Sequence, residues 1–252
     1  MSTLLTFYRC IYNLTEFLGE GNSLDRCHPI RVVVATLNEE KGVGPTLEEI
    51  KKVMPSCDLV VVDGNSSDKT VEIAKINGAK VLIQNGTGKG DAMFQAIKST
   101  DLNVQYVVFT DADFTYPATY VPRMIEILEQ NPNVGMVIGN RFNGEHNFDK
   151  SITNLFYIGN RLLAFAQYAI NGVKLQDPLS GLRAVRFEIF KDWDPKSDGF
   201  DVEVEMNAFV VNHGYNITEI PIKYRSRLGE KKLKLRHGFE ILKRILFYSN
   251  RN

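Results

Sequence analysis

From Ile30 onward, short runs of apolar, β-favouring residues alternate along the chain with longer amphipathic segments. Short apolar runs bounded by polar turns predict buried strands, whereas apolar positions at helical spacing predict helices. The first half of the chain predicts strands in IRVVVAT, DLVVVD, AKVLIQ and QYVVF, and helices in LEEIKKVM, TVEIAKING and GTGKGDAMFQAIKS. Repeated strand-helix units specify a mainly parallel sheet with helices on both faces, so we expect a Rossmann-like α/β fold.

The second half of the chain continues this pattern with longer helical segments. A strand is predicted in NVGMVIGNRF, a long helix in SITNLFYIGNRLLAFAQYAING, a loop and short strand in LQDPLSGLRAVR, and a last strand in YNITEIPIKY. The segment FDVEVEMNAFVVNHG suits a helix that ends at Gly214, although its alternation also permits a strand. We expect one domain over residues 30–236, an amphipathic extension over residues 1–29 and an amphipathic helix over residues 237–252.

Composition limits the functions open to the chain. Its 252 residues carry 30 basic and 30 acidic side chains, so the overall charge gives no indication of nucleic-acid binding. Three cysteines without metal-ligand spacing, Cys10, Cys27 and Cys57, indicate a reducing, cytoplasmic setting. The sequence shows neither an apolar stretch long enough to span a membrane nor the pattern of a secretion signal. We therefore expect a protein that is neither membrane-spanning nor secreted.

The stretch YVVFTDADFTYP places two aspartates one residue apart at the end of a predicted strand. Successive strand side chains alternate between faces, so Asp111 and Asp113 point the same way if the strand persists through them. Two carboxylates that close repel each other, and a hard divalent cation would relieve the repulsion. The polar clusters TLNEE and DGNSSDKT follow two other predicted strands. Because parallel strands end at one edge of a sheet, the sequence predicts that all three clusters share one site.

Seven ordered motifs together resemble the family 2 glycosyltransferases, most closely the dolichyl-phosphate mannose or glucose synthases. They are TLNEE, VVDGNSSDKT, GTGKGDA, TDADFTYP, IGNRF, DPLSGLR and PIKYRSRLGEKKL. Each motif is short, but their order over most of the chain, from Arg31 to Leu233, makes the set specific. The resemblance implies a single domain of GT-A type that transfers a hexose with inversion. It also implies a divalent metal, a nucleotide-sugar donor such as GDP-mannose or UDP-glucose, and a polyprenyl or dolichyl phosphate acceptor.

The resemblance also implies roles for individual residues. The D-x-D pair, Asp111 and Asp113, would hold Mg²⁺ or Mn²⁺ against the donor diphosphate. The base and ribose would be bound by Asn38, Glu39 and Asp63, and the nucleotide or other phosphate groups by Lys89, Arg141, Arg161, Arg227 and Lys232. The residues implied to be catalytic are Asp111, Asp113, Asp177 and Arg227. Thr115, Ala35 and Gly64 depart from the family pattern, so the donor base and sugar stay open.

The residues themselves favour a phosphate acceptor over a hydroxyl. A hydroxyl must lose its proton during attack and needs a positioned base, whereas a phosphate monoester is already largely anionic at neutral pH and needs cations. Between Lys223 and Arg236 the chain offers seven basic residues against Glu230 alone. The best base candidates, Asp177 and Glu205, have competing structural roles in a turn and at a helix start. A hydroxyl acceptor and a non-catalytic nucleotide-sugar-binding subunit remain the alternatives.

Two amphipathic segments predict peripheral contact with the cytoplasmic face of a membrane. The long middle helix has one apolar face, which carries Arg161, and the C-terminal helix has another. The C-terminal face consists of Phe239, Leu242, Ile245 and Leu246, with Lys243 and Arg244 nearby. Packing against the protein core is the alternative for both faces. The length of the lipid, the oligomeric state and the need for a membrane partner subunit stay open.

Overall fold

One mixed sheet organises the chain. The computed structural model describes residues 29–142, 150–230, 232 and 236–249. The strands are β1 (Ile30–Thr36), β2 (Asp58–Asp63), β3 (Lys80–Ile83), β4 (Tyr106–Asp111), β5 (Val134–Asn140), β6 (Arg183–Arg186) and β7 (Asn216–Pro221). They form a seven-stranded sheet in the order β3-β2-β1-β4-β6-β5-β7. Apart from its last residue, the extension predicted over residues 1–29 lies outside the described part of the chain.

The sheet is mainly parallel, as predicted, with β6 reversed. β1 pairs in parallel with β2 and β4, β2 with β3, and β5 with β7. β6 pairs antiparallel with both β4 and β5. The other strands of the sheet therefore all reach the same edge with their carboxyl ends, and we call this edge the carboxyl edge.

Helices cover both faces of the sheet. They are α1 (Val43–Val53), α2 (Thr70–Ile76), α3 (Gly88–Lys98), α4 (Val121–Gln130), α5 (Lys150–Asn171), α6 (Phe187–Phe190), α7 (Val202–Asn212) and α8 (Arg236–Ser249). Along β1, Val32 and Val34 pack with α1 and α4 on one face, and Val33 packs with α3, α6 and α7 on the other. Full burial of a valine or leucine contributes roughly 1.5–3 kcal/mol, so burial on both faces fixes the strand register.

The structure adds two helices to those predicted and settles one ambiguous segment. α4 lies between the D-x-D motif and β5, and α6 is a single turn that follows β6. The ambiguous segment is helical from Val202 to Asn212, in α7, and each residue from Val202 to Ala208 is buried. In a helix that is buried on all sides, apolar residues are not confined to one face, so they do not recur at helical spacing. The sequence of this segment was therefore also compatible with a strand.

α5 and α8 pack against each other and leave apolar side chains on the outside. In α8, Ile241 and Ile245 are buried against Val204 of α7 and partly buried residues of α5. Ile245 therefore belongs to the core and not to the outward apolar face that the sequence predicted for it. Arg244 forms an ion pair with Asp201 at 2.8 Å. The exposed apolar side chains are Tyr157, Ile158, Leu162, Phe165 and Tyr168 in α5, and Phe239, Leu242, Leu246 and Phe247 in α8. None of the described helices is long and apolar enough to cross a membrane.

Candidate active site

Side chains from several loops gather at the carboxyl edge. The register places Thr36 beside Asp63 and Ala35 beside Asp111, so the ends of β1, β2 and β4 are neighbours. The polar residues that this arrangement brings to the edge are Asn38, Glu39, Asp63, Asp111 and Asp113. β4 ends at Asp111, and the chain turns at Phe114, whose φ is +66°. The three polar clusters therefore lie together at one edge of the sheet, as the sequence predicted.

Asp111 shares a buried lysine with a glutamate. Lys89 Nζ lies 2.6 Å from Asp111 Oδ1 and 2.8 Å from Glu203 Oε1. Burial favours the neutral amine, but the two carboxylates outweigh burial and raise the pKa of Lys89 above its ordinary value. Burial also opposes ionisation of Asp111, but Lys89 holds the pKa of that carboxyl below its ordinary value. Lys89 therefore remains a cation that joins the end of β4 to α7.

The glycine run GTGKG allows close packing at the start of α3. A Cβ on Gly88 would lie 1.9 Å from the carbonyl oxygen of Asp198, and one on Gly90 would lie 1.8 Å from that of Ser197. The amide of Gly90 donates to the carbonyl of Asp198 at 3.0 Å. These glycines let α3 press against the segment that precedes α7, which places Lys89 beside that helix.

Arg227 links the loops that follow β1 and β4. Its NH1 lies 3.0 Å from Asp113 Oδ2, and its NH2 pairs with Glu39 Oε1. Lys232 pairs with the same oxygen of Glu39 and donates to the carbonyl of Asn38 at 3.2 Å. The basic segment after β7 therefore folds back over the carboxyl edge and brings two of its cations to the predicted acidic residues.

The D-x-D pair has the donor chemistry of a divalent-cation site. Asp113 Oδ1 accepts hydrogen bonds from Thr115 Oγ1 at 2.6 Å and from the Thr115 amide at 3.1 Å, which fixes its orientation. Burial and the nearby Asp111 raise the pKa of Asp113, and Arg227 offsets this only in part. No group of three acidic, histidine or cysteine side chains forms a metal cage in the described ranges. Mg²⁺ often takes one or two carboxylates together with phosphate oxygens, so the pair fits a cation held jointly with a diphosphate.

Asp63 and Asn38 differ in accessibility at the ends of β2 and β1. Asp63 is 1% exposed and accepts hydrogen bonds from Ser66 N at 2.8 Å, Ser66 Oγ at 2.6 Å and Thr36 Oγ1 at 3.0 Å. Asn38 is exposed, and its Oδ1 accepts from the amide of Ser67 at 2.8 Å. Asn38 is therefore accessible to a ligand, whereas Asp63 shapes the loop next to it.

Asp177 forms a bidentate pair with Arg141. Asp177 Oδ2 accepts from Arg141 Nε at 2.7 Å and from the Arg141 amide at 3.0 Å. Asp177 Oδ1 accepts from Arg141 NH2 at 2.6 Å and from Asn160 Nδ2 at 3.0 Å. Burial disfavours the charged guanidinium, but Asp177 raises the pKa of Arg141 above its ordinary value. Because both of its oxygens are engaged, Asp177 is arranged to orient Arg141.

Arg161 borders this region on α5. Its NH1 donates to the carbonyl of Gln176 at 3.3 Å in an exposed position. That hydrogen bond joins Arg161 to the loop that carries Asp177 and not to the D-x-D pair.

Two residues of the site were missed by the sequence-based predictions. Glu203 was left without a role in the acidic first turn of α7, although it binds Lys89 from more than a hundred positions away along the chain. Gly181 lies so close to Asp111 that a Cβ there would stand 2.6 Å from Asp111 Oδ2. The only signal in the sequence was their place in the motifs FDVEVEM and DPLSGLR, because the contacts themselves depend on the tertiary fold.

Known proteins share the sequence pattern that builds this sheet and its carboxyl edge. Residues 31–194 match the family described as glycosyl transferase family 2. The chain is 36% identical over 208 residues to a dolichyl-phosphate hexose transferase of Haloferax volcanii, which covers 81% of this chain and 86% of the relative. It is 27% identical over 218 residues to an undecaprenyl-phosphate mannosyltransferase of Micrococcus luteus, which covers 81% and 87%.

A solved structure shares the fold. Glucosyl-3-phosphoglycerate synthase from Mycobacterium tuberculosis, crystallised with Mn²⁺, UDP-glucose and phosphoglyceric acid, matches with a TM-score of 0.72 at 22% identity. The match covers 88% of this chain and 80% of that one. The chain therefore belongs to glycosyl transferase family 2. It is a glycosyltransferase, and the predicted GT-A fold is confirmed.

Proposed function

We propose that the chain transfers a hexose, with inversion, from a nucleotide sugar to a polyprenyl or dolichyl phosphate with the help of Mg²⁺ or Mn²⁺. The names of the relatives from Haloferax volcanii and Micrococcus luteus support a lipid-phosphate acceptor. The Mn²⁺ and UDP-glucose bound to the mycobacterial synthase accord with a divalent metal and a nucleotide-sugar donor, and the proposal extends both to this chain.

The observation that carries the proposal is the pairing of charges at the carboxyl edge. Lys89, Arg227 and Lys232 pair with three carboxylates there, those of Asp111, Asp113 and Glu39. A nucleotide diphosphate with a divalent cation carries both signs of charge. It can therefore offer phosphate oxygens to the three cations and a metal to the D-x-D pair.

In this proposal each residue has a separate task. Asp111 and Asp113 hold the metal, which when bound stabilises negative charge on the departing phosphate. Lys89, Arg227 and Lys232 bind the phosphate groups of the donor, and Asn38, Glu39 and Asp63 form the nucleoside end of the site. Arg141, oriented by Asp177, and Arg161 bind the acceptor phosphate in this proposal.

A phosphate acceptor also suits the state of the acidic residues. The two base candidates, Asp177 and Glu205, are both engaged: Asp177 accepts four hydrogen bonds, and Glu205 accepts from the amide of Lys196 at 2.8 Å and from Ser197 Oγ at 2.5 Å. A phosphate that is already anionic attacks without giving up a proton, so it requires no free base.

The proposal is tested by incubating the protein with a panel of nucleotide sugars, polyprenyl phosphate and Mg²⁺ or Mn²⁺. We expect a lipid-phosphate hexose product whose formation stops when the metal is chelated. Hexose transfer to a hydroxyl compound alone would favour the hydroxyl-acceptor alternative. Binding of nucleotide sugar without turnover on any acceptor would favour the non-catalytic subunit.

Gly181→Ala is expected to lower turnover by about tenfold or more, because the added methyl group cannot fit beside Asp111 Oδ2 without moving that carboxylate. Steady-state kinetics with a soluble, short-chain lipid phosphate measure the effect. Gly159→Ala is the matched control, because a Cβ at Gly159 meets no atom within 4 Å. Equal turnover in the two variants would contradict the proposed contact between Gly181 and the D-x-D pair.

The proposal includes peripheral docking through the outer faces of α5 and α8. A polyprenyl phosphate stays in the bilayer, so the site has to reach the headgroup layer. The exposed apolar side chains of the two helices form one candidate surface, and Lys243 and Arg161 are exposed on the same helices. Basic residues near an anionic surface contribute about 1 kcal/mol each and are screened by salt. Modest apolar insertion together with these charges gives reversible binding.

Phe239→Ser combined with Leu246→Ser is expected to reduce binding to anionic vesicles by about tenfold, because two large apolar contacts are lost. Sedimentation with liposomes across a salt series measures the bound fraction. Ile76→Ser is the control, since Ile76 on α2 is 76% exposed and Phe239 is 78% exposed. If the unaltered protein stays in the supernatant at low salt, the docking proposal is wrong.

A further inference from the structure

The loop between α5 and β6 carries Asp177 and Gly181 but lacks regular secondary structure. Residues 172–182 belong to neither a helix nor a strand, yet Asp177, Ser180 and Gly181 are buried. Buried backbone N–H and C=O groups need hydrogen-bond partners. An irregular segment must find most of those partners in side chains from elsewhere in the fold.

Side chains from four parts of the molecule supply these partners. Glu219 of β7 accepts hydrogen bonds from the amides of Gln176 and Asp177. The hydroxyl of Tyr116, after β4, accepts from the amide of Gly181, and Asn207 of α7 donates to the carbonyl of Pro178. The fourth residue is Arg183 of β6. The loop is thus held along its length by three residues that are distant in sequence and by Arg183, which directly follows it.

Arg183 makes the largest contribution to this set. Its Nε donates to the carbonyl of Ser180 at 2.7 Å, its NH2 to the carbonyl of Pro178 at 2.5 Å, and its NH1 to Asn207 Oδ1 at 2.6 Å. The side chain is fully buried, and the oxygens that it binds are all uncharged. Burying a guanidinium without a bonded carboxylate is costly, and burial lowers the pKa of Arg183. Only the planar fork of arginine reaches two loop carbonyls and a side-chain amide at once.

The loop that Arg183 holds touches the site at two places. Asp177 orients Arg141 through a bidentate pair. Gly181 lies against the carboxylate of Asp111, where a Cβ would stand 2.6 Å from Oδ2. A small shift of the loop backbone therefore disturbs the proposed acceptor side and the proposed metal side together.

We propose that Arg183 is a positioning residue for hexose transfer, whose buried guanidinium fixes the 177–181 backbone and through it both Arg141 and Asp111. The inference rests on the proposed function for the chemistry that is being positioned. Arg183 itself does not reach the substrate in this account, because its donors are directed at the loop and α7.

The test compares Arg183→Met, Arg183→Lys and a matched control, Arg31→Met. Arg31 is also a buried arginine, 6% exposed, but it lies at the opposite end of β1, where it pairs with Asp58. Hydrogen exchange of peptides over residues 174–182 reports on the loop without any assay of activity. Steady-state kinetics with lipid phosphate separate kcat from KM, and equilibrium binding of UDP and GDP without divalent metal reports on the nucleoside end.

For Arg183→Met we expect faster exchange in the loop and a fall in kcat of about 30-fold or more, because misplacement of reacting groups lowers turnover steeply. Nucleotide binding without divalent metal is expected to stay within about threefold of the unaltered protein, because the loop touches the site at Arg141 and at the proposed metal ligand Asp111. For Arg183→Lys we expect loop exchange and kcat between those of Arg183→Met and the unaltered protein. Arg31→Met is expected to keep the kcat of the unaltered protein. If both Arg183 variants fail to fold, Asn207→Ala tests the same inference, because Asn207 binds both Arg183 and the carbonyl of Pro178. We then expect faster loop exchange and a lower kcat in that variant.

Loop exchange and kcat in the Arg183 variants equal to those of Arg31→Met would overturn the inference. An unaltered protein without transfer activity would contradict the proposed function instead. In that event, hydrogen exchange over residues 174–182 alone tests whether Arg183 holds the loop. Full kcat in Arg183→Lys would show that the charge, and not the fork, is what the loop requires, which also contradicts the inference.

Discussion

Asp111→Asn and Asp113→Asn are each expected to lower the rate of hexose transfer by about a hundredfold or more. Each change removes one negative charge from the proposed metal site, yet it removes no apolar area from the core. Asp111 also loses its charge-assisted bond with Lys89, and Asp113 its bond with Arg227. Steady-state turnover of both variants measures the effect, and thermal unfolding checks that the fold is retained.

Glu126→Gln provides the control for this pair, because Glu126 is a partly exposed acid on α4 whose partners among the described residues are its helical neighbours Arg123 and Gln130. Its turnover should equal that of the unaltered protein. Full activity of either aspartate variant, or of the unaltered protein in excess chelator, would contradict the assignment of a metal to the D-x-D pair.

Arg227→Ala is expected to lower turnover by about a hundredfold to a thousandfold, because loss of one preorganised contact to developing charge costs about 2.7–4 kcal/mol. Arg227 bridges Asp113 and Glu39, so its loss also leaves two largely buried carboxylates without a shared cation. The measurement is turnover with a soluble, short-chain lipid phosphate, which removes any effect of membrane docking.

Lys243→Ala is the matched change for Arg227→Ala, since Lys243 is an exposed cation on α8. With the soluble acceptor we expect its turnover to be nearly unchanged. Equal losses in the two variants would mean that the basic residues act as an undifferentiated charged surface, and the specific role proposed for Arg227 would be wrong.

The fold was largely predictable because burial on both faces of the sheet leaves a strong pattern. The continuous apolar runs of β1, β2 and β4 specify central parallel strands, and each lies where the sequence placed it. The reversed direction of β6 was not predictable, because strand direction depends on how a loop crosses the carboxyl edge. The helix α7 was ambiguous, since near-complete burial removes the contrast between its faces.

The site was predictable where its residues follow strands and not where they meet only in three dimensions. Asp111, Asp113 and Glu39 follow strands that end together, so the pattern of strands was sufficient to bring them to one edge. Glu203 binds Lys89 on another helix, and Arg183 binds Asn207 of α7 as well as two carbonyls of its own motif, so the motifs alone do not reveal the contacts between elements. The roles assigned to individual residues in catalysis and in donor binding stay predictions.

The most direct test of the central claim is a competition between polyprenyl phosphate and the corresponding polyprenol in one reaction with UDP-glucose or GDP-mannose and Mg²⁺ or Mn²⁺. The two acceptors share a lipid and differ only in the group that attacks. Mass spectrometry of the lipid products then identifies which group received the hexose. We predict hexose on the polyprenyl phosphate and none on the polyprenol. Hexose on the polyprenol, or consumption of the donor without a lipid-phosphate product, would contradict it.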